Sequence, residues 1–412
     1  MTTKPSYNHI PALRFPDFAN DGEWEVKRLR EIVKVVDEKC SIDRLDIETY
    51  ISTENILQNF EGVKRAAKLP DTGSFTRFQK GDVLFSNIRP YLKKVWEAEF
   101  DGAASNDVIV FRALKKFDNQ FVSQIIKSDV FIAYTMSGAK GVKMPRGDKK
   151  LMLDYTVLVP SFAEQQRIAA CLSAADEMIN AINGKLEQLK AYKKGLMQKL
   201  FPAKGKKLPE LRFKEFEKDG EWGEKRLGEI LIERREVSVI TDKLPQLSFT
   251  IAEGVIRPED KKTNQRDFLM TDKDNKVFLV TRLYDIIYNP ANVIYGAIHK
   301  NNLCDGVVSP IYKIFYTQEN ADFLNYLLRR PSFISQLASR AEGTVTKLKT
   351  LKAEAFLEMS VPFTANTSEQ QKIADCLTTI DEMTNQCTNK ITMLELYKKG
   401  LMQRMFPQNQ TN

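Results

Sequence analysis

Residues 164–202 read EQQRIAACLSAADEMINAINGKLEQLKAYKKGLMQKLFP, and residues 369–407 repeat the pattern as EQQKIADCLTTIDEMTNQCTNKITMLELYKKGLMQRMFP. Both segments place apolar residues at steps of three and four, which is the spacing of one stripe along a helix. A helix over 164–200 would be about 55 Å long at ~1.5 Å per residue. So narrow a stripe predicts a partner helix, which the other copy can supply. The predicted seam between the two helices contains Ile168, Met178, Leu189, Leu196, Ile373, Met383, Leu394 and Leu401.

Two equal units related by an internal dyad would set these helices antiparallel, with one globular domain at each end. The alternative is that each helix packs only on its own domain. Ser161 and Ser368 precede the two helices and are predicted to cap them or to lie near the cap. Gly195 and Gly400 each cost about 1 kcal/mol inside a helix. Their matching positions suggest the close approach of another backbone.

The repetition extends over the rest of the chain. The stretch PALRF at 11–15 recurs as PELRF at 209–213, and in both copies GEW and then KRL follow. Residues 33–80 find no convincing counterpart in 231–283, and residues 143–150 also differ from their counterpart. Each half of the chain therefore joins a shared frame to a private segment.

The local patterns predict a mixed α+β fold in each half. Strands are expected at 83–85, 107–112, 155–159, 277–280 and 311–316, and helices at 121–136 and 321–339, the second interrupted at Pro331. The predicted division is a globular domain over 1–160, a helix over 161–202, a second domain over 203–365 and a second helix over 366–412.

Composition limits the possible functions. Of the 412 residues, 42% are hydrophobic and 28% charged, which is an ordinary globular balance. The net charge of +8 permits a nucleic-acid partner without requiring one. No run approaches the ~20 apolar residues of a membrane span, and residues 1–10 have no apolar signal core. We therefore expect a cytoplasmic protein with no membrane partner.

The residues that usually carry catalysis are rare or badly spaced. The only two histidines, His9 and His299, are far apart in the sequence, and the five cysteines form no C-x-x-C pair. These counts argue against a zinc site and against a nucleophilic triad. The phosphate-binding pattern G-x-x-x-x-G-K-[ST] is also missing. We expect no catalytic residue, no metal and no cofactor.

Taken together, these motifs resemble the specificity (S) subunits of type I DNA restriction–modification systems. The resemblance covers nearly the whole chain. It rests on the PxLRF, GEW and KRL blocks, the Glu-Gln-Gln entry to each helix, and the YKKGLMQ motif at 192–198 and 397–403. Each motif alone is weak, but their duplicated order is specific.

The resemblance implies two globular target-recognition domains, each reading half of a split, asymmetric site in double-stranded DNA. Two long antiparallel coiled-coil helices would hold these domains apart and dock two methyltransferase subunits. Restriction and translocase subunits would join through the methyltransferases. The chain itself would catalyse nothing.

Base readout and phosphate contacts require basic, amide or hydroxyl side chains. In the first half the candidates lie beside strand ends and the loop 138–147: Arg89, Lys93, Lys94, Lys143, Arg146, Lys149 and Lys150. In the second half they surround Gly343: Arg340, Thr344, Thr346, Lys347 and Lys349. The alternative for each residue is a solvated basic surface.

Two other functions share part of this pattern. A stand-alone regulator that binds bipartite DNA would have the same domains but would not need exposed seams on its helices. A coiled-coil scaffold without DNA would not need divergent segments in its two halves.

Overall fold

The computed structural model describes residues 9–261, 277–341 and 350–407. The chain divides into two compact units, one formed by 1–185 with 387–412 and the other by 186–386. Both unit boundaries fall inside long helices, so each unit contains the first part of one helix and the last part of the other. The predicted division at 160, 202 and 365 follows a different criterion and stays a prediction.

The described part of unit 1 contains ten strands and four complete α-helices. The elements up to the last long strand are β1 (Glu25–Arg28), α1 (Leu29–Ile32), β2 (Val33–Val35), β3 (Lys39–Cys40), β4 (Tyr50–Ile51), β5 (Phe75–Phe78), β6 (Val83–Ser86), β7 (Val95–Glu97), β8 (Gly102–Ala104) and β9 (Val108–Ala113). They are followed by α2 (Asn119–Ile126), α3 (Asp129–Ser137), α4 (Lys149–Asp154), β10 (Thr156–Val159) and the first part of α5 (Phe162–Lys199).

The strands of unit 1 form three sheets. One is antiparallel with the order β2-β9-β6-β7, the second has the order β3-β5-β8-β4, and β1 pairs with β10. The buried strand β6 and the helices α2 and α3 contribute to a core that also contains Ile168, Ala169 and Leu172 of α5. The domain is therefore packed directly against the start of its own helix.

Unit 2 repeats this plan after α5 has ended. Its first elements are β11 (Gly223–Arg226), α6 (Leu227–Ile230), β12 (Ile232–Glu233), β13 (Val237–Ser238), β14 (Ser248–Thr250), β15 (Gly254–Ile256), β16 (Phe278–Thr281), β17 (Ile286–Tyr288), β18 (Ile298–Lys300), β19 (Gly306–Val308) and β20 (Lys313–Tyr316). They are followed by α7 (Ala321–Leu328), α8 (Pro331–Arg340), α9 (Ala353–Leu357), β21 (Ser360–Phe363) and α10 (Thr367–Met405).

The sheets of unit 2 match those of unit 1 more closely than the sequence indicates. The order β12-β20-β17-β18 repeats β2-β9-β6-β7, and β11-β21 repeats β1-β10. The sheet β13-β16-β19 also follows the pattern of β3-β5-β8, although β13 and β16 come from a segment that does not align in sequence with the one that contains β3 and β5. Unit 2 adds the hairpin β14-β15, and in unit 1 the strand β4 pairs parallel with β8. The private segments thus share part of their topology.

The two long helices run antiparallel inside each unit. The core of unit 1 joins Leu172 near the start of α5 to Met405 at the end of α10. The core of unit 2 joins Leu200 at the end of α5 to Ile373 near the start of α10. This arrangement confirms the predicted antiparallel pair, although each helix also packs on its own domain.

Two equivalent ion pairs link the helices. In unit 1 the Lys398 ammonium lies 2.7 Å from both carboxylate oxygens of Asp176. In unit 2 Lys193 lies 2.5 and 2.6 Å from those of Asp381. The first lysine of each YKKG motif therefore pairs with an acid near the start of the opposite helix.

The duplicated motifs meet where each long helix begins. Arg14 of the first PxLRF block donates two hydrogen bonds of 2.8 Å to Glu164, and Arg212 donates two of 2.7 and 2.9 Å to Glu369. Both carboxylates are fully buried, and such bidentate pairs are strong and fix orientation. The opening motif of each half is thus an anchor for its helix.

The glutamine after each of these acids forms a second anchor. Gln165 accepts a hydrogen bond from the Asp118 amide and donates one to the Pro160 carbonyl. Gln370 forms the same two contacts with Asn320 and Thr364. The Glu-Gln-Gln sequence therefore ties each helix to the loop before α2 or α7, which makes it part of the frame.

Several local predictions need correction. Residues 121–136 form two helices, because Ser128 accepts from the Phe131 amide and starts a new one. The second long helix is capped by Asn366, whose side chain accepts from the amides of the next turn, and not by Ser368. Nothing described lies near a Cβ built on Gly195 or Gly400, so neither glycine marks a close backbone approach.

The predicted seam is only partly buried. Ile168, Leu196 and Ile373 are buried, and the leucines at 189, 394 and 401 are half-buried. Met178 and Met383, however, are 50% and 37% exposed, which is wrong for seam positions. A straight helix drifts by about 20° per heptad relative to a strict repeat, so a stripe chosen by sequence steps leaves the contact face.

We find no helix in residues 9–261, 277–341 and 350–407 that combines the length and the apolar character needed to cross a membrane.

Candidate nucleic-acid interface

A tight turn after β6 presents the first predicted basic residues. The chain forms a short 3-10 turn at Pro90–Leu92, and Arg89 and Lys93 flank it in the left-handed region at φ 53° and 54°. The Ser86 amide donates to the Lys94 carbonyl at 2.9 Å and closes the loop. Because β6 is buried, this turn is held on a rigid base.

A second loop is bonded to this turn. The backbones of Lys140 and Arg146 exchange two hydrogen bonds of 2.9 Å, so residues 140–146 form a tight hairpin. The Arg89 amide donates to the Pro145 carbonyl at 2.8 Å, and the Gly147 amide donates to residue 87 at 3.2 Å. The fold thus brings together two basic segments that lie fifty residues apart in the sequence.

Gly147 permits this close contact. A Cβ at this position would collide with the side chain of Met152 and would lie 2.9 Å from Thr135 and 3.0 Å from Asn87. The absence of a side chain at Gly147 therefore lets the end of the hairpin pack against Met152, Thr135 and Asn87.

The tip of the hairpin projects into solvent. Val142 is fully exposed, Lys143 is exposed, and Met144 is 50% exposed. Tyr91 on the neighbouring turn is also about half exposed. Apolar and aromatic side chains between basic ones can contact thymine methyl groups or base faces, while the basic ones contact phosphates or guanine edges.

Two of the predicted residues are already engaged within the domain. Lys93 lies 2.6 Å from Asp129. Lys94 donates to the Thr53 carbonyl at 2.6 Å, and burial, with the nearby charge of Lys64, lowers the pKa of Lys94. These lysines are therefore less available to a ligand than the hairpin residues.

Of the remaining candidates of the first half, Lys143, Arg146, Lys149 and Lys150 are exposed, whereas Arg89 is half-buried and its buried Nε has no hydrogen-bond partner among the described residues. Arg146 lies 3.1 Å from Asp107, with both side chains largely in solvent. Lys149 and Lys150 lie in the first turn of α4, directly after the hairpin, where Asp148 caps the helix. Hydrogen bonds from the helix backbone, with the nearby Lys140, lower the pKa of Asp148. The hairpin and the start of α4 thus form one basic surface.

Backbone strain concentrates beside this surface. Of the five described non-glycine residues with positive φ, Asn59, Phe60, Arg89 and Lys93 lie together, because the Phe60 amide donates to the Lys93 carbonyl at 3.0 Å. Each such conformation costs on the order of 1–3 kcal/mol and persists where the surroundings over-determine it, often at functional sites.

The second predicted cluster is described only in part. Arg340 is exposed at the last residue of α8. The other four predicted residues lie outside the described part of the chain: Thr344, Thr346, Lys347 and Lys349. Just after them, the Leu351 amide donates to the Pro290 carbonyl at 3.1 Å. Pro290 follows β17 as the turn at 87–93 follows β6. In each unit, therefore, the segment after this strand is hydrogen-bonded to the segment that precedes the next short helix, α4 in unit 1 and α9 in unit 2.

The two histidines contribute no candidate reactive group. His299 is buried, its Nε2–H donates to the Ile251 carbonyl at 2.7 Å, and burial lowers its pKa to about 4. His9 lies 3.3 Å from Glu23 at the surface. Within the described ranges, no three His, Cys, Asp or Glu side chains gather as a metal site would require.

Sequence reasoning missed part of this surface. Lys140, Val142 and Met144 belong to the hairpin, and Tyr91 belongs to the turn beside it. Lys140 and Val142 flank Gly141, and this glycine is the signal in the sequence that a tight turn starts there. In the structure Gly141 has a φ of +95°. The sequence does not indicate that Val142 and Met144 are exposed, because apolar residues are usually buried and only the position of their loop in the structure shows otherwise.

Comparisons with known proteins agree with this architecture. A family model described as the type I restriction modification DNA specificity domain matches residues 21–191. The chain is 24% identical over 434 residues to the type I restriction enzyme MjaVIII specificity subunit of Methanocaldococcus jannaschii, covering 96% of this chain and 94% of that protein. It is 25% identical over 134 residues to the EcoDI specificity subunit of Escherichia coli, covering 32% of this chain and 30% of that protein.

A solved structure has a similar fold. The S subunit of a type I restriction–modification system from M. genitalium aligns with a TM-score of 0.62, covering 97% of this chain and 100% of its own, at 14% identity. The shared fold therefore extends over almost the entire chain.

Proposed function

We propose that the chain acts as a specificity subunit of a type I restriction–modification system, in line with the family model over residues 21–191 and the Methanocaldococcus jannaschii relative, and that its two units each read one half of a split, asymmetric site in double-stranded DNA. The chain itself is non-catalytic. It docks two methyltransferase subunits and, through them, restriction and translocase subunits.

The observation that carries this proposal is a common frame with different surfaces. Both units anchor a long helix through the same arginine–glutamate pair and the same glutamine contacts. The loops on that frame differ, since the hairpin 140–146 has no counterpart with the same residues. A symmetric dimer reads a palindrome, whereas two different surfaces in one chain can read two unrelated half-sites.

The hairpin supplies the groups that DNA readout needs in the first half. Lys143 at the tip and Arg146 at the base are exposed, and Asp107 orients the Arg146 guanidinium at 3.1 Å. We assign these residues, with Arg89, to base edges or nearby phosphates. We assign Lys149 and Lys150, which are exposed in the first turn of α4, to backbone phosphates beside the hairpin.

The outer faces of the long helices support the docking of partner subunits. Seven large apolar or aromatic side chains in the described parts of α5 and α10 are more than a third exposed: Phe162, Met178, Tyr192, Met383, Met393, Leu396 and Tyr397. Tyrosine and methionine are enriched in protein interfaces. A regulator acting alone would not need to expose them.

Exchange of one recognition unit tests the assignment. We would replace residues 1–160 with the corresponding segment of another subunit, co-express the chain with its methyltransferases, and sequence the methylome. One half of the methylated site is expected to change while the other half and the spacer persist. Altered readout of both halves would contradict the proposal.

A second measurement separates the alternative functions. Purified chain is titrated with methyltransferase subunits, and complex formation is followed by light scattering. The same titration is done with a variant in which both Tyr192 and Tyr397 are changed to Ser. We expect a complex with wild type and a weaker one with the variant. A chain that binds DNA alone and ignores methyltransferases would instead be a regulator.

A further inference from the structure

A basic cavity of about 620 Å³ lies within unit 2 and is not part of the surface described above. The end of α5 and residues 201–204 form one wall, the turn between α7 and α8 forms another, and α10 contributes Asp381. Its volume is in the range of small-molecule sites. Six cationic residues line it: Lys190, Lys193, Lys194, Lys204, Arg329 and Arg330.

Most of this positive charge has no counter-charge. Asp381 is the only acid among the described residues that line the cavity; Lys193 pairs with it at 2.5 Å, and its charge also acts on Arg329. Lys190 pairs with Glu187 outside the cavity at 2.8 Å. In the described part of the chain, no carboxylate forms an ion pair with the other four: Lys194, Lys204, Arg329 and Arg330.

Arg330 is the most confined of these cations. It is 8% exposed, and among the described residues it donates only to the carbonyls of Leu327 and Pro202, at 3.2 and 3.1 Å. Its guanidinium also lies 5.0 Å from the centre of the Phe201 ring. Burial lowers the pKa of Arg330 to about 10 and also lowers that of Arg329. A buried charge without a counter-ion is costly, and a bound anion relieves that cost.

The other copy of the frame carries a different charge pattern. The positions equivalent to Arg329, Arg330 and Lys190 are Lys127, Ser128 and Glu395. Ser128 caps a helix, so the fold works without an arginine there. The cationic cavity is therefore an addition to unit 2 and not a requirement of the frame.

We propose that this cavity binds a compact polyphosphate, such as the triphosphate group of a nucleotide. Four unpaired cations in so small a volume match a ligand that concentrates several negative charges, and arginine forks bind phosphate oxygens in pairs. A carboxylate side chain brings only a single charge. The first residues of α8, Pro331 and Ser332, also line the cavity and add the positive end of that helix.

Isothermal titration of the full chain with inorganic tripolyphosphate, and separately with ATP, tests the proposal. We expect saturable binding at one site per chain. Lys194→Glu, an exposed substitution that leaves the core untouched, should weaken it by about tenfold or more, the loss of one charged contact. The matched control is Lys399→Glu, the same change in the other YKKG motif, which should bind like wild type.

Arg330→Ser installs the residue of the other copy and should remove binding. If that variant does not fold, Lys194→Glu still decides the matter. Competition with a non-target DNA duplex identifies the source of the phosphate: displacement points to backbone phosphates, and no displacement points to a free polyphosphate. No saturable binding of tripolyphosphate, or an equal loss in Lys399→Glu, would overturn the proposal. The titration needs no specific DNA site, so it is independent of the proposed recognition.

Discussion

Glu369→Gln tests whether the duplicated anchor holds each helix. The buried Glu369 carboxylate accepts two hydrogen bonds from Arg212, one of 2.8 Å from Thr364 and one of 3.3 Å from the Trp222 indole. Glutamine keeps the volume but loses the charge, and its amide nitrogen cannot accept from the guanidinium. Arg212, itself 9% exposed, is then left without its counter-charge.

The expected loss follows from this geometry. Breaking a buried ion pair by removing one charge costs about 3–5 kcal/mol. The equivalent Glu164→Gln in unit 1 removes the same pair with Arg14, but the Trp24 indole nitrogen has no hydrogen-bond partner among the described residues and so is not bonded to that carboxylate. Because Glu369 has additional neutral donors, we expect its substitution to cost about 1–3 kcal/mol more.

Native-state hydrogen exchange with mass spectrometry measures the effect in each unit separately. Glu369→Gln should lower the opening free energy of core peptides from 321–328 and 360–363, while peptides from 108–113 in unit 1 stay protected. Glu164→Gln should reverse the pattern. A fall below about 1 kcal/mol in both variants would refute the anchor, since even one charged hydrogen bond is worth more.

Three further outcomes are expected. Inserting four residues after Gly184 and four after Asn389 lengthens both helices by ~6 Å, or about two base pairs. Methylome sequencing should then reveal a longer spacer between the half-sites, and an unchanged spacer would disprove the role of the helices in setting it. Arg146→Ala should relax readout of one half-site by about 1–3 kcal/mol. Filter-binding with mutated half-sites checks this, and equal weakening on every sequence would mean a phosphate contact. For His299, whose pKa falls from 6.5 to about 4 on folding, the unfolded chain binds the proton first as pH decreases. Unit 2 should therefore be fully stable above pH 6.5 and lose on the order of 3 kcal/mol by about pH 4. Urea denaturation of wild type and His299→Gln between pH 4 and 7 measures the difference, and identical curves would contradict it.

The sequence predicts the helices well because their period and their duplication are visible in the residues. The three predicted strands of the first half lie within two residues of β6, β9 and β10. The start of α10 is harder, because Asn366 and Ser368 are equally good caps by residue type and only the backbone decides between them. The break at Ser128 is also hidden, since no proline marks it as Pro331 marks the break between α7 and α8.

The candidate interface is less predictable because it depends on tertiary contact. Asp82 and Asp285 occupy equivalent positions, yet Asp82 binds Arg112 of β9 while Asp285 binds Arg234 after β12. Alignment of the two halves cannot find such exchanged partners. In the same way, the bond between Arg89 and Pro145 joins loops whose basic residues look unrelated in the sequence. The basic residues in the sequence predicted the region of the interface. Which of them lie on one surface depends on tertiary contacts that the sequence does not show.

Each unit contains the first part of one long helix and the last part of the other. This division sets the order in which the two units can complete their folding as the chain leaves the ribosome. Residues 186–386 are contiguous, so unit 2 can close as soon as they emerge. Unit 1 must wait for the end of α10, where Phe406 stacks on Phe121 at 5.6 Å and meets Trp24 at 6.1 Å. The domain made first is thus completed last, and until then Trp24 and Phe121 lack the Phe406 side chain that covers them, which leaves apolar surface exposed to aggregation.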